Sequence, residues 1–374
     1  MKRTVVIILL LALLPLRSFA LEPQGKSALL MEAATGTVLF EQDADVPLAP
    51  ASVTKVMSML LIMEAIDSGS ISWEDTVTAS AAAAAKGGSQ VYLKEGETMT
   101  VRDMLKSIAV SSANDCACAM AEHIAGSEEA FVERMNTRAK ELGMEHTHFV
   151  NCTGLDDGPE AAEHKISARD IAIMSRELLT GHPGIKDFTT IWMDTIRDGA
   201  FGLSNTNKLV RFYPGATGLK TGFTASAMYC LSASAEREGM ELIAVVMGAP
   251  SSAARFSSCK QLLDYGFAGW AVYTPELPEE TAVPVRLGKA KTVRVLLPAA
   301  PVLVEKARRA SVRCETELAE ELPAPVTQGQ TVGKLRIWAG EDMLVELPLT
   351  AEAAVEKVTW ADIFLELLKK TAFG

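Results

Sequence analysis

The run Val56-Met57-Ser58-Met59-Leu60-Leu61-Ile62-Met63 constrains the fold more than any other stretch. Read at helical period it has almost no polar face, so a helix here is covered on all sides by a large core. The residues before it, Ala49-Pro50-Ala51-Ser52-Val53-Thr54-Lys55, read as the first turns of that helix. Pro50 suits a helix start, where its missing N–H has no intrahelical partner. Ser52 and Lys55 are three apart and share one face of the first turn. Burial penalises an ammonium, and a lysine that loses its proton beside a serine hydroxyl can activate that serine as a nucleophile. An ordinary helix start with a snorkelling lysine fits the same residues, so the pair gains meaning only from what lies downstream.

The chain has 374 residues, enough for two domains and a substantial core. Residues 1–20 read as a secretory signal, with basic Lys2 and Arg3, an apolar Val5 to Leu14, and small residues at Ser18 and Ala20 where a peptidase cuts. The apolar part is too short for a convincing membrane span. Removing those residues loses Lys2, Arg3 and Arg17 and no acid, so the formal charge goes from −11 to −14. A nucleic-acid binder needs a basic face, and that balance argues against one. It argues equally against strong global attraction to anionic lipid. Six cysteines, Cys116, Cys118, Cys152, Cys230, Cys259 and Cys314, are too sparse for a disulfide scaffold and are expected mostly as buried free thiols. No C-x-x-C pair suggests zinc, and His146, His148 and His164 follow no ligand spacing; neither metal nor cofactor is expected.

Taken in order, the pattern is α+β. Lys26 to Glu32 and Thr37 to Phe40 read as a hairpin around Thr35-Gly36. Helical segments follow: the run after Ser52, an alanine-rich piece ended by Gly87-Gly88, a helix capped by Thr100, another from Asn114, an amphipathic one at 128–142, and one capped by Ser167. Between the last two lies a long polar stretch, 143–167, of the length that usually carries function. Met228 to Gly248 reads as a second hairpin, and Ala253 to Phe267 as a closing helix. The two hairpins are expected in one antiparallel sheet. From Thr274 onward prolines punctuate short Val- and Leu-rich runs, the pattern of a small all-β domain. The tail is helical, with Trp360, Ile363, Phe364, Leu367 and Leu368 in one stripe, fitting an interfacial helix or one docked on its own β domain. The expected organisation is therefore a signal peptide at 1–20, a catalytic domain at 21–273, a β-rich domain at 274–357 and an amphipathic helix at 358–374.

Three patterns line up in order: Ser52-x-x-Lys55, Ser112-x-Asn114 and Lys220-Thr221-Gly222. Together they supply what acyl transfer needs. Ser52 is the nucleophile and Lys55 its base. Ser112 can relay a proton towards the leaving amine, although capping by Ser112 and Asn114 is the plainer reading of that pair alone. Asn114 can hold a substrate amide and orient Lys55. Lys220 adds positive potential, which keeps Lys55 easier to deprotonate and attracts an anionic substrate end. Thr221 and Gly222 lie on a strand whose edge can pair with an extended peptide, and Gly222 leaves room for that approach. The N–H groups of Ser52 and Phe223 are the natural oxyanion donors.

These motifs resemble those of the serine penicillin-binding proteins of the D-alanyl-D-alanine carboxypeptidase type. The likeness extends through Gly87-Gly88-Ser89, Phe149-Val150-Asn151, Gly154-Leu155, Ser167-Ala168-Arg169-Asp170, Gly218 to Thr224 and Leu262 to Phe267, over about residues 25–270. It implies a β-lactamase/transpeptidase-like catalytic domain. It implies that Ser52 attacks the terminal D-Ala–D-Ala bond of a peptidoglycan stem peptide, releases D-alanine, is freed by water, and is acylated by β-lactams. Arg255 matches an arginine that the family places near the substrate's terminal carboxylate; an exposed helix charge is its plainer reading. The resemblance also implies an exported protein whose tail lies on the outer face of the cytoplasmic membrane, in a periplasm or cell-wall space. Peptidoglycan endopeptidase activity would use the same residues. A class A β-lactamase would need a glutamate for deacylation, and neither Glu160 nor Glu163 stands in the expected setting. A non-catalytic penicillin sensor is the alternative outside enzymes.

Overall fold

The computed structural model describes residues 21–278, 281–297 and 300–373. The expected signal peptide lies outside them. Alternation of apolar residues builds the central sheet. Strand β1 (Ser27–Glu32) turns Leu29 and Met31 to one face and Ala28 and Leu30 to the other, and both faces are buried. It pairs with β2 (Val38–Gln42) and, at its other edge, with a distant strand. Three later strands, β3 (Ala216–Thr224), β4 (Met228–Arg237) and β5 (Met240–Ala249), complete an antiparallel sheet in the order β2-β1-β5-β4-β3. The two hairpins thus share one sheet, as their sequence implied, and β3 is left with a free edge.

Helices cover both faces. One layer contains α1 (Lys55–Asp67), α2 (Val101–Ser111), α3 (Asn114–Ala125), α4 (Glu128–Glu141) and α5 (Ala168–Gly181). The other face carries α6 (Ser252–Gly269), whose Leu262, Leu263 and Phe267 pack on Leu30, Leu242 and Val246. Helix α1 lies inside its layer: every residue from Lys55 to Met63 is buried. The caps read from the sequence are present. Thr100 Oγ1 accepts from Asp103 N at 3.1 Å, and Ser167 Oγ accepts from Asp170 N at 3.1 Å. Two local expectations change. The turn that carries Ser52 is a 3-10 turn, Ala51–Thr54, which hands over to the α-helix at Lys55. The alanine-rich run forms only one helical turn, Ala81–Ala84, because propensity without a packed face does not sustain a longer helix.

Beyond α6 the chain becomes all-β. The strands are β6 (Trp270–Tyr273), β7 (Ala282–Arg286), β8 (Thr292–Leu296), β9 (Val302–Glu305), β10 (Val312–Leu318), β11 (Leu322–Pro323), β12 (Thr331–Ala339) and β13 (Asp342–Ala351). Six of them form a sheet in the order β10-β12-β13-β8-β7-β11, while β6 pairs with β9. This region has its own core, built from residues such as Val283, Val293, Leu335, Ile337 and Leu349. The chain ends in α7 (Trp360–Phe373), capped by Thr359, whose Oγ1 accepts from Asp362 N at 3.2 Å.

Candidate active site

The serine–lysine pair sits where the start of α1 meets the edge strand β3. Ser52 lies on the 3-10 turn, and Ala51 before it has φ +48, so the chain enters the turn through a left-handed residue. Lys55 is 0 % exposed. Its Nζ stands 3.0 Å from Ser52 Oγ and donates to the carbonyl of Thr153 at 2.7 Å. Burial lowers its pKa from 10.5 to about 7, against the weaker opposing pull of Cys152 and Asp115. Near neutrality a large fraction of Lys55 is therefore a free amine with its lone pair available to the Ser52 hydroxyl. That is the state a general base requires.

The long polar stretch between α4 and α5 is what holds Lys55. Asn151 Oδ1 accepts from the backbone N–H of Thr153 at 3.1 Å and of Gly154 at 2.6 Å, folding this loop into a tight turn. The turn aims the Thr153 carbonyl at Lys55. Gly154 has φ +81, and a Cβ there would lie 1.9 Å from the Ala51 carbonyl oxygen. Only glycine lets the loop press against the Ser52 turn. His164 closes the back. Its Nδ1 accepts from Val150 N at 3.1 Å, so Nε2 carries the proton and donates to Thr54 Oγ1 at 2.8 Å, which in turn donates to the Ala51 carbonyl at 2.8 Å. Burial, chiefly, lowers the His164 pKa to about 4, so the ring is neutral, a structural hydrogen-bonding group.

Ser112 and Asn114 stand at the junction of α2 and α3. Neither caps a helix through its side chain: Ser112 is the left-handed residue that ends α2, with φ 64, and the cap of α3 is Ala113, which makes no side-chain bond. Asn114 is buried and donates Nδ2 to the Gly87 carbonyl at 2.7 Å. Its Oδ1 is buried without a hydrogen-bond partner. A buried amide oxygen is normally satisfied, so this one is open to a donor from outside the chain.

Strand β3 forms the opposite wall. Lys220, Thr221 and Gly222 are buried and Phe223 is exposed. A Cβ on Gly222 would lie 2.6 Å from the Pro50 carbonyl oxygen and 3.1 Å from Ser52 N, which shows how closely the strand passes the nucleophile. Lys220 Nζ donates to the Thr221 carbonyl at 3.1 Å, and Thr221 Oγ1 donates to Thr206 Oγ1 at 2.7 Å. Burial, then the charges of Lys55 and Arg255, push the Lys220 pKa well down. Arg255 lies behind the strand on α6, not on an exposed helix face. Its Nη1 donates to the carbonyls of Gly222 at 2.8 Å and Cys230 at 3.2 Å, and its guanidinium stacks on Phe256 and Tyr229. Arg255 thus stands behind β3 with neutral carbonyls as its hydrogen-bond partners, so its charge is not cancelled by a carboxylate and adds positive potential beside the strand. The alternative glutamates, Glu160 and Glu163, are both exposed.

Comparisons with known proteins give the family of the chain. Residues 17–251 match the family model described as D-alanyl-D-alanine carboxypeptidase, and residues 277–357 match the penicillin-binding protein 5 C-terminal domain. The chain belongs to the D-alanyl-D-alanine carboxypeptidase family. It is 41 % identical over 362 residues to the D-alanyl-D-alanine carboxypeptidase DacF of Bacillus subtilis, covering 95 % of this chain and 91 % of that one. Its fold is similar to that of penicillin binding protein 5 from Haemophilus influenzae, with TM-score 0.77, 28 % identity, and coverage of 90 % of this chain and 98 % of that one. It is also similar to Listeria monocytogenes penicillin-binding protein D2 in its ampicillin-bound form, with TM-score 0.61, 31 % identity, and coverage of 66 % and 99 %.

In this family member the sequence motifs marked Ser52, Lys55, Ser112, Asn114 and the β3 wall; the fold brings Ser52, Lys55 and β3 together, with Ser112 and Asn114 at the junction of α2 and α3. The supporting shell escaped: the Thr153 carbonyl, the Asn151 turn, the Thr54–His164 pair and Thr206. A backbone carbonyl leaves no signature in residue type. The one visible signal was Asn151-Cys152-Thr153-Gly154, an Asx-turn pattern inside an otherwise irregular stretch.

Proposed function

We propose that this chain is a serine-type D-Ala-D-Ala carboxypeptidase that removes the terminal D-alanine from peptidoglycan stem pentapeptides through an acyl-enzyme on Ser52. The stem peptide enters extended and pairs with the free edge of β3. The Asn114 Oδ1 receives a substrate amide N–H, and the Lys220 side of the cleft receives the terminal carboxylate. Arg255 holds the Gly222 carbonyl and adds positive potential from behind the strand. Lys55 takes the Ser52 proton as Oγ attacks the penultimate carbonyl, and the N–H groups of Ser52 and Phe223 face the developing oxyanion. Ser112 passes the proton to the departing D-alanine amine. Water then attacks the ester, Lys55 again accepting a proton, and Ser52 is freed. A β-lactam follows the first half of this course and leaves Ser52 acylated.

The observation that carries this reading is the buried Lys55 amine, held by Thr153 and standing 3.0 Å from Ser52 Oγ. The test is free D-alanine measured after incubation with a pentapeptide ending in D-Ala-D-Ala. Release is expected from the unmodified chain and from none of the Ser52→Ala variant, which also fails to take up labelled penicillin. No release from protein that still binds the label would overturn the carboxypeptidase reading.

We further propose that the chain is exported and that α7 rests on the outer face of the cytoplasmic membrane. Among the described residues no helix is long and apolar enough to cross a membrane. Helix α7 instead leaves Trp360, Ile363, Phe364, Leu367 and Leu368 exposed. Co-sedimentation with lipid vesicles, lost on deleting residues 358–374, is the expected result.

A further inference from the structure

Tyr92 is 69 % exposed and has φ +60, a backbone conformation that bulky residues rarely adopt. It stands between Val91 and Leu93, which are both buried. Their N–H groups donate to the carboxylate of Asp115, Val91 at 3.1 Å and Leu93 at 3.0 Å, and Asp115 is fully buried at the start of α3. The same loop is held one residue earlier in α3, where Asn114 N donates to the Ser89 carbonyl at 2.7 Å. The backbone is therefore clamped on both sides of an aromatic ring that the fold pushes outward. A ring turned into water by a rigid, left-handed residue is poorly explained by packing and well explained by a ligand.

The surroundings of that ring say which ligand. Phe201 meets it edge-on with centroids 6.4 Å apart, and the Arg197 guanidinium lies 5.3 Å from the Phe201 ring centre. Arg197 is itself fixed, donating to Glu97 Oε1 at 2.7 Å and to the Val91 carbonyl at 2.8 Å. Tyr92, Lys94, Glu95, Gly96, Glu97 and Arg197 line an open hollow of about 620 Å³. One exposed aromatic face ringed by donors and acceptors suits a sugar. The C–H bonds on one face of a pyranose are apolar and weakly electropositive, so they lie against the electron-rich ring, while hydroxyl and acetamide groups meet the polar rim.

We propose that the Tyr92 hollow binds the N-acetylated sugar that carries the stem peptide, so that the enzyme takes glycan-attached pentapeptides in preference to free ones. This rests on the carboxypeptidase reading and extends its substrate beyond the peptide. The loop from Gly87 to Leu93 bonds Asn114 through the Gly87 and Ser89 carbonyls and presents Tyr92 three residues beyond Ser89.

The experiment compares D-alanine release from a free pentapeptide and from the same peptide on an N-acetylglucosaminyl-N-acetylmuramyl disaccharide. The unmodified protein is expected to show a KM about tenfold lower for the disaccharide form at similar kcat. Tyr92→Ala should bring the two KM values to within about twofold of each other, and Tyr92→Phe should keep the difference, since the ring face does the binding. Equal KM values in the unmodified protein, or a loss in Tyr92→Ala shared by both substrates, would overturn the proposal; the shared loss would assign Tyr92 to the peptide. A second arm measures calorimetric binding of the disaccharide without peptide, which needs no catalysis. Binding weakened at least fivefold in Tyr92→Ala supports the site even if no D-alanine were released and the carboxypeptidase reading failed. Absent or unchanged binding counts against it.

Discussion

Helices α1 and α7 are nearly equal in length, 13 and 14 residues, and both are rich in large apolar side chains. Their surroundings are opposite. Helix α1 is covered all round and draws a lysine into the core with it. Helix α7 leaves Trp360 83 % exposed. The contrast shows that apolar content does not decide what a helix does; what covers it does. Covered on every side, α1 becomes a rigid mount that can hold an amine in a costly state. Left uncovered, α7 keeps an apolar face exposed, far in sequence from the residues of the site. Changes in α1 should therefore alter chemistry and leave membrane binding alone, and changes in α7 should do the reverse.

The largest expected effect is at Ser52. Ser52→Ala should lower D-alanine release by about 10⁴-fold or more while leaving vesicle binding and the melting temperature as they are, as judged by single-turnover assay and calorimetry. Lys55→Met tests the cost of the mount. In the folded chain Lys55 has a pKa of about 7 against an ordinary 10.5. The folded state thus binds fewer protons, and stability is lost as pH falls from 10.5 towards 7, by about 4 kcal/mol at pH 7. A methionine carries no such penalty, so Lys55→Met should abolish acylation yet melt higher by roughly 5 °C. A lower melting point would mean that the bond to Thr153 outweighs the burial of charge. Gly154→Ala should destabilise by about 3 kcal/mol or more, because its Cβ has no space against the Ala51 carbonyl. The pH profile should follow. Penicillin acylation should rise about tenfold per unit below pH 7, as Lys55 becomes the free base, and level off above it. The smallest effect on rate belongs to α7. Deleting 358–374 should leave D-alanine release from soluble substrate within about twofold, and any larger fall would show that the two helices are coupled.

Much of this was legible in the residues. The apolar run at Val56 to Met63 announced a buried helix, and alternating hairpins announced the sheet that closes over it. The motif residues were legible because chemistry demands particular side chains. Less legible were features in which the backbone acts. The turn under Ser52 is 3-10, since its geometry answers to Gly154 and β3 more than to local propensity. Ser112 and Asn114 looked like side-chain caps; Ser112 instead ends α2 through its left-handed backbone, and Asn114 is the first residue of α3. Arg255 had an exposed helix charge as its plainer reading; packing against Phe256 and Tyr229 buries it behind the strand, bonded to carbonyls. Tyr92 carried no signal at all, for exposure is not written in residue type.

The contact that holds the catalytic amine has an evolutionary side. Lys55 leans on the carbonyl of Thr153 and Arg255 on the carbonyls of Gly222 and Cys230. A codon change can replace a side chain but cannot delete a peptide oxygen. Single substitutions can therefore loosen these anchors only indirectly for Lys55, through the residues that shape the Thr153 loop, Asn151 and Gly154, and directly only at Arg255 itself.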